Sequence, residues 1–181
     1  VSSTDGEAKF ETLANGNHSY DASYIEITFV PTTAYLTLQF LFGSEEYNEY
    51  VYSGVSDAIG VWVNNTNIAL TPEGKPISID TINQSGTYTP SSGASAAPSL
   101  YVNNSSTYST PMDGFTRTLG ASIAVNAGVS NTIRIGVADV GDAAYDSWLL
   151  VKADSIQTST VAFNDNVVTP VNTNVIIDVT A

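Results

Sequence analysis

Tyr24-Ile-Glu-Ile-Thr-Phe29 and Tyr35-Leu-Thr-Leu-Gln-Phe-Leu-Phe42 are the two stretches that decide the class of fold. In the first, Ile25, Ile27 and Phe29 alternate with Tyr24, Glu26 and Thr28. In the second, Leu36, Leu38, Phe40 and Phe42 alternate with Tyr35, Thr37 and Gln39. An apolar residue at every second position lies on one face of an extended chain, so each run predicts a strand with one buried face. Outward from this pair, strands are expected at 59–64 and 68–70, joined as a hairpin by Asn64-Asn-Thr-Asn67, and at 77–82. Residues 115–125 read as two short strands or as one with a bulge at Gly120. Residues 132–138 place Ile133, Ile135 and Val137 on one face, and 148–153 follow.

Composition agrees with this pattern. Val, Ile and Thr, which suit a pleated surface, number 52, against 25 for Leu, Met, Lys, Arg, Glu and Gln together. No helical period separates the strands, so the expectation is an all-β, antiparallel β-sandwich or jelly-roll-like fold. One stretch breaks the rhythm. From Asn83 to Met112 the chain is rich in Ser, Gly, Pro, Thr and Asn, with only 99–103 strand-like. It reads either as a surface insertion or, because Tyr88, Tyr101 and Tyr108 punctuate it, as part of a binding surface.

The 181 residues carry 5 Lys and Arg against 18 Asp and Glu, a net charge of −13. That balance argues against nucleic acid and against anionic membranes, both of which require cations on the protein. With no Cys and one His, thiolate chemistry, zinc ribbons and a His-based triad have no raw material. His18 stands in a polar segment and reads as a surface residue. No run of 18 apolar residues and no basic-then-apolar leader is present, so neither direct membrane insertion nor a signal peptide is expected. Ser, Thr and Asn make up 57 residues, a small-polar surface that suits a bacterial extracellular protein.

The acids gather at strand ends. Gly43-Ser-Glu-Glu-Tyr-Asn-Glu-Tyr50 follows the second strand, Ser56-Asp57 precedes the third, and Met112-Asp-Gly-Phe115 opens another. Ala138-Asp-Val-Gly-Asp-Ala-Ala-Tyr-Asp-Ser147 sets Asp139, Asp142 and Asp146 between two apolar runs. A lone Asp in such a turn is ordinarily solvated or caps local N–H groups. Three together suit Ca²⁺, which takes six to eight oxygens, and crowded carboxylates repel one another without a cation. No EF-hand or β-roll repeat occurs, so a calcium site would be assembled from separate loops. Glu45 and Glu46 with a distant Asp could supply the two carboxylates of a glycan hydrolase, but adjacent strand residues point apart and nothing fixes the spacing such a pair needs.

Tyr20-Asp-Ala-Ser-Tyr-Ile-Glu26, Phe42-Gly-Ser-Glu-Glu-Tyr-Asn-Glu-Tyr-Val51, Ser56-Asp-Ala-Ile-Gly-Val61, Asn67-Ile-Ala-Leu70, Asp113-Gly-Phe-Thr116 and 138–147 stand in the order found in the choice-of-anchor L domains of secreted bacterial proteins. Over roughly residues 5–157 the chain resembles that family, and within it most resembles the peptide-binding domains of large RTX adhesins. The resemblance implies a Ca²⁺-requiring extracellular sandwich that binds peptide or protein termini on other cells. Its motif acids are Asp21, Glu45, Glu46, Asp57, Asp113, Asp139, Asp142 and Asp146, and Tyr47, Tyr50, Ser56, Tyr145 and Ser147 beside them are the expected ligand contacts. The organisation expected is a ligand-binding sandwich over 1–157 and, over 158–181, a linker with the first strand of a following Ig-like or cadherin-like repeat. This makes the chain a monomeric module of a longer protein. The rival readings are a calcium-stabilised spacer and the hydrolase.

Overall fold

A computed structural model of the chain describes residues 6–84 and 97–158. Tyr88 and the strand expected in the C-terminal tail lie outside these residues. Helix α1 (Ala8–Leu13) comes first, with Glu7 capping it by accepting from the N–H groups of Lys9 and Phe10. Among the described residues nine strands follow: β1 (Ser19–Phe29), β2 (Tyr35–Ser44), β3 (Ala58–Val63), β4 (Thr66–Asn67), β5 (Tyr101–Asn103), β6 (Gly114–Thr116), β7 (Leu119–Ala124), β8 (Asn131–Val140) and β9 (Ser147–Val151). They form two antiparallel sheets packed as a sandwich, as the alternating runs required. One sheet has the order β1-β8-β3-β4. In the other, β6 and β7 lie end to end along one edge of β2 and β9 along the opposite edge, because Phe40 pairs with both Leu119 and Val151.

The core between the sheets holds Leu36, Leu38, Phe40 and Phe42 of β2 against Ile59, Val61 and Val63 of β3 and Ile133 and Ile135 of β8. A second, smaller core lies outside the first sheet, where α1 drops Phe10 onto Trp62, Ala22 and Ala138. Phe10 and Trp62 meet edge to face at 5.1 Å. Gly60 makes this possible: a Cβ there would lie 1.9 Å from the Trp62 ring.

Three expectations need correction. The face of β1 expected to be buried is open, with Ile25 57% and Ile27 44% exposed. They share their face with the buried partners Ile135 and Ile133, but β1 is the edge strand of its sheet. Residues 77–82 form no strand. Ile77, Ile79 and Ile82 are buried and Ser78 makes an isolated bridge with Ala58, but side chains take several of the other backbone groups: Thr81 Oγ1 accepts from Ser78 N–H and donates to Pro76 O, and Asn83 Nδ2 donates to Ile79 O and Asp80 O. Asn67 acts in the same way, its Oδ1 accepting from Val61 and Ala69 N–H, so the hairpin partner shrinks to Thr66–Asn67.

The stretch 115–125 does divide into two strands, with the break at Arg117 and Thr118 rather than at Gly120. In the described part of the Ser/Gly-rich excursion, Asn104 ties the loop together. Its Nδ2 donates to Met112 O at 2.7 Å and its Oδ1 accepts from Tyr108 N–H at 2.8 Å. Tyr101 packs on Tyr47 and Tyr108 on Phe115.

Candidate functional site

The acids converge where β2, β3, β8 and β9 end or begin at one pole of the sandwich. Ser44 and Ser147 are paired across β2 and β9, and Asp57 immediately precedes β3. Asp57 is fully buried. Its Oδ2 accepts from Ser147 Oγ at 2.6 Å and from Ser44 Oγ at 3.5 Å, and its Oδ1 accepts from Val140 N–H at 3.3 Å. Glu46 is 1% exposed, accepts from Asp57 N–H at 3.3 Å, and lies within hydrogen-bond reach of the Asp57 carboxyl. Asp139 joins them, 9% exposed, opposite Tyr20 in the β1–β8 register. That register slips between Tyr20 and Ser23, and in the bulge Asp21 takes a left-handed backbone at φ 45°.

Burial dominates the electrostatics. Desolvation, then the Glu46 charge, pushes Asp57 well above the ordinary carboxylate range. Glu46 rises by burial, then by the fields of Asp142 and Asp139. Asp139 is pushed to about 8 by burial and by Asp57, Asp21, Asp146 and Asp142. Among the described residues every ion pair belongs to Arg134 or His18, and none reaches this cluster. The carboxyls therefore hold protons more tightly than free carboxyls do.

The remaining candidates lie apart from these three carboxyls. Asp142 and Asp146 stand exposed on the loop above: Asp142 Oδ1 accepts from Ala144 N–H, and Asp146 N–H donates to Glu45 Oε2 at 3.2 Å. Glu45 is thus tied to the loop that carries Asp146. Asp113 is raised by burial, then by Glu49 and Glu45, which sets it in a separate acidic group. Tyr50 and Tyr145 form a ring pair at 5.3 Å, and their hydrogen bond raises Tyr50. Tyr47 is fully buried and donates its hydroxyl to Ile82 O at 2.7 Å, which makes it a core residue. Ser56 lies beside Asp80, apart from the buried carboxyl group, on a neighbouring cavity of ≈ 490 Å³ that Asp80, Lys75 and Tyr52 also line. His18 meets Glu11 at 2.7 Å on the surface.

Sequence reasoning missed Ser44 and Asp80. Ser44 also accepts from Glu46 N–H at 3.0 Å, so it orients both buried acids. Its place in the Gly-Ser-Glu-Glu run was the available signal. Asp80 was hidden in a run read as a strand.

The donor set is all hard oxygen, which matches Ca²⁺ in chemistry. Among the described residues, however, no group of three acidic or histidine side chains stands as a ready metal cage. No helix among the described residues is long and apolar enough to cross a membrane. The model of the Choice-of-anchor L domain matches residues 1–157. No curated protein and no solved structure matches the chain.

Proposed function

Because the chain belongs to the Choice-of-anchor L domain family, a module of surface proteins, we propose that it is an extracellular bacterial adhesin module that captures peptide termini through a calcium-bearing acidic pole. The observation that carries this reading is the buried carboxyl group of Glu46, Asp57 and Asp139, which has no cation among the described residues. These three, with Asp142 and Asp146 on the loop above and Asp21 in the bulge, are the residues that would hold Ca²⁺. The ion would supply positive charge at a pole that otherwise repels anions.

The chain's own residues prepare the rest. Ser44 and Ser147 hold Asp57 in place, so the innermost carboxylate is oriented before a ligand arrives. The Tyr50 and Tyr145 rings beside the loop offer apolar and hydroxyl contact to a peptide, Tyr145 being 52% exposed. A C-terminal carboxylate suits the site because it brings two oxygens with no following residue to collide with the loop.

The test is calorimetric titration of short peptides, free against amidated at the C-terminus, in Ca²⁺ and in EDTA. Binding only by free peptides in Ca²⁺ supports the proposal. Indifference to the terminus and to the metal overturns it.

A further inference from the structure

The cavity of ≈ 490 Å³ lies between the end of α1 and the segment 71–81, and the capture of a peptide terminus makes no use of it. Its volume falls in the range of roughly 300–1,000 Å³ found for small-molecule sites. Both walls are held by the chain's own bonds. On the α1 side, Asn15 at φ 55° and Gly16 at φ 91° turn the backbone, and Gly16 N–H donates to Glu11 O at 2.7 Å and Asn17 N–H to Ala14 O at 3.2 Å. Across from them, Thr71 N–H donates to Lys75 O at 2.8 Å, Gly74 N–H to Thr71 O at 2.9 Å, and Thr81 Oγ1 to Pro76 O at 2.7 Å. The space is therefore formed before any guest arrives, which lowers the cost of binding one.

The lining decides what can enter. Asp80 is its one carboxyl, too few for a Ca²⁺ ion that takes six to eight oxygens. An anion would meet Asp80 in a chain of charge −13, with Lys75 alone to receive it. An apolar guest would strip water from Asn15, Asn17, Lys75 and Asp80 and give nothing back. A neutral guest rich in hydroxyls suits all of them. Asp80 Oδ1 is oriented by Tyr52 N–H at 2.6 Å, and a carboxylate has about four acceptor positions, so capacity remains for hydroxyl donors. Of the five cations, Lys9, Lys152, Arg117 and Arg134 each bond a partner within the chain. Among the described residues the Lys75 ammonium and the side-chain amides of Asn15 and Asn17 have no such bond. Leu13, Tyr52 and Pro76 add apolar surface to the same cavity. We propose that this cavity binds a neutral saccharide of one or two rings: Asp80 accepts from its hydroxyls, Asn15, Asn17 and Lys75 donate to them, and Leu13, Tyr52 and Pro76 cover its C–H face. The site goes beyond the peptide reading, gives the module a second class of ligand, and needs no Ca²⁺.

The test titrates the full 181-residue chain, labelled with ¹⁵N, with glucose, galactose, mannose, N-acetylglucosamine, lactose and cellobiose, in Ca²⁺ and in EDTA. The expected result is that at least one of these sugars shifts the amide signals of Asn15, Asn17, Lys75 and Thr81 in both buffers, with a Kd on the order of 1 mM. Asp80→Asn should weaken that binding by about tenfold, as should Asn17→Ala combined with Lys75→Ala, two exposed positions whose truncation leaves the core untouched. Melting curves confirm that each variant is folded. The Asn17→Ala and Lys75→Ala pair should leave the calcium-dependent titration of free peptides unchanged, so the two readings stand or fall separately. No shift with any of the six sugars overturns the proposal. So do shifts confined to residues 139–147, binding that disappears in EDTA while the chain stays folded, and binding that ignores both sets of substitutions.

Discussion

Replacing Asp57 by Asn isolates the charge at the centre of the acidic pole. Asp57 and Glu46 lie beside each other inside the protein, with no ion pair to either among the described residues. Two carboxylates ~4 Å apart at an effective dielectric of about 20 repel by roughly 4 kcal/mol. The bonds from Ser147 Oγ and Val140 N–H favour the ionised form and offset about half of that. About 2 kcal/mol then weighs on the metal-free folded state whenever both groups are ionised.

The pH dependence follows from the direction of the shifts. These carboxyls bind protons more tightly folded than unfolded, with Asp139 reaching about 8 from an ordinary value of 3.8. Between about pH 4 and about pH 8 the folded chain therefore holds the extra protons. The stability they contribute is complete below about pH 4 and is lost as pH rises toward about 8. Asn resembles the protonated acid and keeps an acceptor for Val140 N–H. In EDTA at pH 5, Asp57→Asn should shift the melting temperature by less than about 2 °C, and at pH 8 it should raise it by about 4–8 °C, at 2–4 °C per kcal/mol. Added Ca²⁺ should stabilise the native protein at pH 8 and leave the variant nearly unmoved. Circular-dichroism melts at the two pH values make the measurement. A variant less stable than the native chain at pH 8 would refute the reasoning, because the ionised Asp57 would then be a net stabiliser.

Gly60→Ala should lower stability by about 2 kcal/mol or more in denaturant titration, since its methyl group meets the Trp62 ring and forces the α1 contact apart. Asn131→Ala should cost about 2–3 kcal/mol in the same assay. The buried amide accepts from Asn126 N–H and Asn64 Nδ2 and donates to Asn126 O and Val129 O, and truncation leaves all of these groups short of a partner. Ser147→Ala removes the 2.6 Å bond that favours ionised Asp57, so the pH at which metal-free stability is lost should move upward, read from melts across pH 5–9.

The sandwich was legible in the chain because a period of two is a local property: Leu36, Leu38, Phe40 and Phe42 share a face whatever they pack against. The clustering of acids in strand-end loops was legible for the same reason. Local pattern could not show which strand lies at a sheet edge, and so Ile25 and Ile27, patterned like core residues, are exposed. Nor could it foresee the segment 77–82, where Ser, Thr and Asn side chains compete with the ladder for backbone partners. At the acidic pole the residue types were visible, but their division was not. Glu46, Asp57 and Asp139 meet inside the protein, Glu45 is tied to the exposed loop at Asp146, and Tyr47 serves the core. That division rests on burial and on Coulombic proximity between residues up to about a hundred positions apart, and both come into being only when the two sheets pack.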